Sequence, residues 1–124
     1  MGLKMRVLFA ANYNNMTGDK QICPVASPFV AGKTYLVQRV AVINRSSSNS
    51  ATLNLTVTSA GGASASVSPY NMSVPPNGQV ILDDEITLAP VDGSSGSAYD
   101  KLILNIAGTT PNIDCVVIGL DRDL

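Results

Sequence analysis

The strongest constraint on this chain is a repeated period-two alternation with no helical period anywhere beside it. In "ATLNLTVTS" (51–59), Leu53, Leu55 and Val57 alternate with Thr52, Asn54, Thr56 and Thr58. An extended strand with that pattern buries one apolar face and exposes a polar one. Strand-like runs also occupy 33–44 ("KTYLVQRVAVIN"), 79–88, 99–107 and 112–120, and turn chemistry separates them. "PPNG" at 75–78 is the clearest turn, since proline presets φ and glycine admits φ above zero. "RSSSNS" (45–50) reads as a surface turn, so 33–44 and 51–59 are expected to form an antiparallel hairpin.

Seven or eight short strands at this spacing predict an all-β protein, a single antiparallel β-sandwich of jelly-roll or immunoglobulin-like type. The acidic run Asp83-Asp84-Glu85 interrupts the alternation of 79–88 and suggests a bulge there. Residues 91–97 ("VDGSSGS") read as a flexible loop, and "GTTPN" joins the last two strands. The first thirty residues fit least well. Residues 4–11 read as a strand or an extended arm and 12–20 as a loop, while 21–30 carry Pro24 and Pro28 and suit an edge or crossover. The expected organisation is one domain, with an irregular arm and edge segment over 1–30 and the sandwich core over 31–124.

At 124 residues such a domain can hold a hydrophobic core without metal or disulfide support. Its surface is unusual. Only 14% of residues are charged, against roughly 25% in ordinary soluble domains, and Ser, Thr and Asn fill the gap. A polar but weakly charged surface costs less to desolvate, which suits packing against other protein. Charge is also uneven. Residues 1–62 carry Lys4, Arg6, Lys20, Lys33, Arg39 and Arg45 against Asp19 alone, a balance of +5. Residues 63–124 carry Lys101 and Arg122 against seven Asp and Glu85, a balance of −6. Interleaved halves would cancel these charges locally; separated ones would give complementary ends.

Several function classes have little support. The chain contains no histidine, so neither a Ser-His-Asp nor a Cys-His site can be assembled within it. An enzyme is not expected, nor a cofactor. The acidic pI of about 5.0, with no basic cluster among aromatics, argues against nucleic acid as a partner. A membrane is not an expected partner either, because no apolar stretch is long enough to span one. "VLFAA" is too short for a signal-peptide core, and Arg6 breaks the myristoylation pattern behind Met-Gly. The Asn-x-Ser/Thr triplets at Asn15, Asn44, Asn54 and Asn71 read as chance in so Asn/Ser/Thr-rich a chain. Cys23 and Cys115 are expected to be reduced and buried, although one bridge between them remains open at this stage.

The residues that could bear chemistry have plainer readings beside the functional ones. Asp83 and Glu85 would share a strand face, and with Asp92 they form a weak candidate for a calcium site. The plainer reading is a solvated edge or a salt bridge between subunits. The Gly-Ser loop at 93–97 lacks the lysine of a phosphate-binding loop. Tyr13, Tyr35, Tyr70 and Tyr99 suit strand ends that cap a core better than a groove. Arg39 faces either solvent or an interface. Candidates for contacts between subunits are Lys4, Arg6, Arg39 and Arg45 with Asp83, Asp84 and Glu85.

Three stretches in order, "GKTYLVQRVAVINRSSSNSATLNLTV", "VPPNGQVILDDEITLAP" and "IDCVVIGLD", resemble the small β-sandwich virion proteins of tailed bacteriophages. The resemblance spans about residues 31–121. It departs at "APVDGSSGSAYD", where such domains often have a short Gly-Asp turn. It implies a non-enzymatic virion structural protein, most simply a capsid decoration (cement) protein, assembled in the host cytoplasm. The implied partners are the major capsid protein or neighbouring virion proteins, together with copies of the chain itself as a homo-oligomer. A neck or tail accessory protein is the alternative within that class. Outside it stand a carbohydrate-binding or adhesive module, which the absence of tryptophan disfavours, and a small carboxylate-dependent hydrolase.

Overall fold

A computed structural model describes residues 5–23, 33–59, 65–83, 85–88 and 101–123. Nine strands lie among them and no helix: β1 (Arg6–Asn14), β2 (Gly18–Cys23), β3 (Lys33–Asn44), β4 (Ala51–Ser59), β5 (Ala65–Val74), β6 (Gln79–Leu82), β7 (Ile86–Leu88), β8 (Lys101–Gly108) and β9 (Asn112–Asp123). They form two antiparallel sheets. Sheet A runs β1-β9-β3-β6, with β7 also on β3, and sheet B runs β2-β8-β4-β5. First therefore pairs with last, second with next to last, and so inward, which is the connectivity of a jelly roll rather than an immunoglobulin-like sandwich.

Three expectations change as a result. β3 and β4 are not a hairpin, because β3 pairs with β6, β7 and β9 while β4 pairs with β5 and β8. "RSSSNS" is too long for a two-residue hairpin turn and instead spans the roughly 10 Å between packed sheets. Of the two readings of 4–11 the strand holds for its described part, and 12–20 is not a loop throughout. β1 pairs with β9 over its whole length, and β2 pairs with β8. Each supplies an edge strand to a different sheet, with 15–17 crossing between them. The composition of 12–20 hid this, because edge strands need no continuous apolar run. Pro24 and Pro28 lie outside the described residues. Finally, 79–88 is two strands. Three positions separate Leu82 from Ile86 where two separate Val37 from Val40 opposite them, so the expected bulge is present where the acidic run breaks the alternation.

The core lies between the sheets. Sheet A contributes Val37, Val40, Val42, Ile113, Cys115 and Val117, and sheet B contributes Leu53, Leu55, Leu102, Leu104 and Ile106, all at most 2% exposed. Each such aliphatic side chain stabilises by roughly 1.5–3 kcal/mol. One open side is closed by Tyr13 of β1 and Lys20 of β2, whose ammonium lies 5.9 Å from the ring centroid. Tyr13 and Tyr35 both pack partly against the core, as expected of capping tyrosines. The side chain of Tyr70 and all of Tyr99 lie outside the described residues.

β9 is flanked by a bulge in each neighbouring strand at nearly one level. Leu8 is the extra residue on β1 and Gln38 the extra residue on β3, both opposite 117–119. Gly119 sits there because a Cβ would collide with the Leu36 carbonyl oxygen. In the Pro75–Gly78 turn the positive φ falls on Asn77, at 59°, and not on the glycine. Gly78 N donates to Pro75 O at 2.9 Å, and a Cβ on Gly78 would lie 2.8 Å from Pro75 Cγ.

Candidate interaction surfaces

The one fully buried polar side chain among the described residues is Asn44, at the end of β3. Its Nδ2 donates to the carbonyls of Asn49 at 2.9 Å, Val74 at 3.1 Å and Pro75 at 3.3 Å, and its Oδ1 accepts from Ser46 N at 3.1 Å. One amide thus joins the 45–50 crossing to the β5–β6 turn. Asn49 Nδ2 donates to Thr110 Oγ1 at 2.9 Å, and Arg45 N donates to Asn112 O at 2.7 Å. Beside this corner is a depression of about 200 Å³ lined by Ile43, Asn44, Arg45 and Asn77, smaller than the roughly 300–1,000 Å³ of ordinary small-molecule sites. The corner is structural.

Asp83 and Glu85 do not share a strand face, since both lie between β6 and β7 and outside either strand. Asp83 is exposed and accepts from Arg39 Nε at 2.5 Å, and Glu85 is exposed. Asp84, Asp92 and the loop at 93–97 lie outside the described residues, as does Lys4. Among the described residues no three His, Cys, Asp or Glu side chains converge as metal ligands. Cys23 and Cys115 are free thiols, both buried. Burial pushes each up to about 12, with the charge of Asp121 adding to the effect at Cys23.

Four of the subunit-contact candidates, Arg6, Arg39, Arg45 and Asp83, make ion pairs within the chain. Arg6 bridges Asp121, Arg39 bridges Asp83, and Arg45 Nη1 lies 2.9 Å from Asp114 Oδ2. Every pair joins a cation of the first half to an anion of the second. The jelly roll interleaves the halves, so the +5 and −6 cancel locally at these places.

What distinguishes the molecule is the contrast between its two outer faces. On sheet B, register aligns Asp19, Asn105, Asn54 and Asn71 in one row across all four strands, with Asn105 Nδ2 donating to Asp19 Oδ1 at 2.8 Å. The next row is Ala107, Thr52 and Ser73. This is the polar, sparsely charged face that "ATLNLTVTS" announced. On sheet A, the corresponding central row is Ala10, Val116, Ala41 and Ile81. On one side of it Val7 and Ile118 share a row with Arg39, with Leu36 opposite Leu120 farther along, and on the other side the row is Asn12, Asp114, Ile43 and Gln79. Val7 is 56% and Ile81 48% exposed at the two edges. The buried alternates Cys115, Val117, Val40 and Val42 fix the direction of these side chains, which is away from the core.

This second face is not among the features expected from the sequence. Its signal was present, because "CVVIGL" and "YLVQRVAVI" are apolar at successive positions, the pattern of strands covered on both sides.

No family model matches the chain, and no curated protein matches it. Among solved structures, similarity extends to the C-terminal family 22 carbohydrate-binding module of Clostridium thermocellum Xyn10B, at 20% identity and a TM-score of 0.46 over 94% of this chain and 81% of that one. A xylan-binding domain of the same family 22 gives 19%, 0.46 and the same coverage. The Anabaena sensory rhodopsin transducer gives 16% and 0.37 over 87% and 93%. These are likenesses of β-sandwich fold.

Proposed function

We propose that this protein is a non-enzymatic structural component of a virion, a capsid decoration protein that stabilises the shell through many modest contacts with the shell and with its own copies. The observation that carries the reading is the apolar outer face of sheet A. Register sets the apolar row Ala10, Val116, Ala41 and Ile81 across four strands, with Val7, Ile118, Leu36 and Leu120 on the same outer face, and exposed apolar surface of this kind marks contact with other protein. The low surface charge supports it, and the sequence resemblance to small phage sandwich proteins supplies the virion context. A neck or tail accessory protein would use the same face with fewer copies.

Sheet B favours a second reading. A row of Asp19, Asn105, Asn54 and Asn71 offers the amide and carboxylate groups that bind sugar hydroxyls, as in a carbohydrate-binding module. The chain has no tryptophan to supply a stacking platform, and this reading stands behind the first.

The test is the copy number of the protein in purified particles from its source, by quantitative mass spectrometry against the major shell protein. Abundance comparable to the shell protein is the expected result. A small fraction of it would move the protein to the neck or tail. Absence from particles would overturn the virion reading, and binding of the isolated protein on a glycan array would then favour the second.

A further inference from the structure

We infer that Asn77–Gly78 is a site of spontaneous, backbone-assisted deamidation, latent in the sequence and held shut by the Asn44 corner. This chemistry belongs to the chain alone and stands apart from the virion reading.

The turn itself demands the reactive pair. Asn77 sits at a φ of 59°, a left-handed conformation that asparagine and glycine adopt more readily than other residues. Gly78 cannot carry a side chain, since a Cβ there would lie 2.8 Å from Pro75 Cγ. The result is the one Asn-Gly dipeptide in the chain. A glycine after asparagine leaves the following amide nitrogen sterically open to the side chain. In the reaction, Gly78 N gives its proton to solvent base and attacks Asn77 Cγ. The Cγ–Nδ2 bond breaks, Nδ2 takes up a proton and leaves as ammonia, and a succinimide ring remains. Water then adds to either ring carbonyl and a ring C–N bond opens, which leaves aspartate or isoaspartate at position 77. Water is the co-reactant, and Asn77 is exposed to it.

Three successive peptide groups around the pair are anchored. Asn77 N donates to Ser46 O at 3.0 Å, Gly78 N donates to Pro75 O at 2.9 Å, and Gly78 O accepts from Asn44 N at 2.9 Å. Ring closure needs the Gly78 proton to leave and the Asn77–Gly78 peptide to turn toward Cγ, and both break the bond from Gly78 to Pro75. Asn44 fixes the other arm of the same turn, because its Nδ2 donates to Val74 O at 3.1 Å and Pro75 O at 3.3 Å. Pro75 O is thus held both by the buried amide of Asn44 and by the nucleophile's own N–H. Reaction from the folded state has to pass through local opening of this corner, so its rate scales with the population of the open form. Isoaspartate, once formed, adds a methylene to the main chain. The pairings Ile43–Gln79 and Val42–Val80 begin directly after the turn and leave no slack for it, so conversion opens the corner.

The test is incubation of the purified chain at pH 8, folded and in urea, followed by digestion and mass spectrometry of each asparagine. In urea, Asn77 should convert ahead of every other asparagine. In the folded wild type it should convert at least about tenfold more slowly than in urea. Folded Asn44→Ala should convert Asn77 about tenfold faster than the folded wild type, because the corner opens more often. Hydrogen exchange of the wild type gives a second reading that needs no variant: the Gly78 amide should be protected. Conversion of Asn77 in the folded wild type at the rate seen in urea would overturn the inference. So would another asparagine converting first in urea, a Gly78 amide that exchanges freely, or a folded Asn44→Ala that converts no faster than the wild type.

Discussion

Ala41 and Val116 lie opposite one another on the two central strands of sheet A, and both point away from the core. Their neighbours along the chain, Val40 and Val117, are likewise opposite and wholly buried. One residue of displacement along either strand separates the interior from the proposed contact surface.

That separation is measurable as stability. Val116→Glu should cost no more than about 1 kcal/mol, since the side chain already faces outward. Val117→Glu, at 0% exposure, should cost more than about 4 kcal/mol or prevent folding, because it buries a carboxylate among aliphatic side chains. Urea denaturation of the two variants reads the difference directly.

Asn44 has all its described bonds satisfied inside the corner. Asn44→Ala removes a donor that serves three carbonyls and an acceptor that serves Ser46 N. The expected loss is about 2–4 kcal/mol. Asn44→Asp should be no milder, because a carboxylate cannot donate to those carbonyls. Thermal unfolding of both variants checks this.

The three ion pairs should contribute unequally. Arg39 and Asp83 are both exposed, at 49% and 61% of their side chains, so Arg39→Ala should change stability by less than about 1 kcal/mol. Arg6→Ala should cost more, because its partner Asp121 is only 12% exposed and is left partly desolvated. Chemical denaturation at low and high salt should show the Arg39 effect vanish first.

Alkali should unfold the protein through groups held neutral in the interior. Cys23, Cys115 and Tyr13 all ionise near 12 in the fold, with desolvation the leading cause, against ordinary values of 9.0 for the thiols and 10.0 for the phenol. Above pH 9 the unfolded chain therefore binds fewer protons than the folded one, and stability falls as pH rises toward 12. Denaturation midpoints should be level below pH 8 and decline steadily beyond 9. At pH 8 a thiol reagent should leave both native cysteines unmodified and react with both in denaturant.

Much of the fold is legible in the sequence. The alternation of Leu53, Leu55 and Val57, the turn at Pro75–Gly78 and the break at Asp83 all appear in the structure near their expected places. Sheet membership is not legible, because "RSSSNS" and "GTTPN" specify a reversal without specifying whether the chain stays in its sheet. The end of β1 and the start of β2 were hidden for a related reason: an edge carries few fully buried positions, and "NYNN" reads as loop until β9 is known to lie beside it. The charge imbalance between halves was visible, and its cancellation was not. Arg6 and Asp121 are 115 residues apart, and only the jelly-roll pairing of first and last strands brings them together.

The most direct test of the central claim is incorporation into particles. Chains carrying Val116→Glu or Thr52→Glu would be supplied in place of the wild type, and their copy number in purified particles measured by mass spectrometry. Thr52→Glu should be retained at the wild-type level, while Val116→Glu, still folded in solution, should fall to a small fraction of it. Retention of Val116→Glu at the wild-type level would contradict the assignment of sheet A as the surface on which this protein assembles.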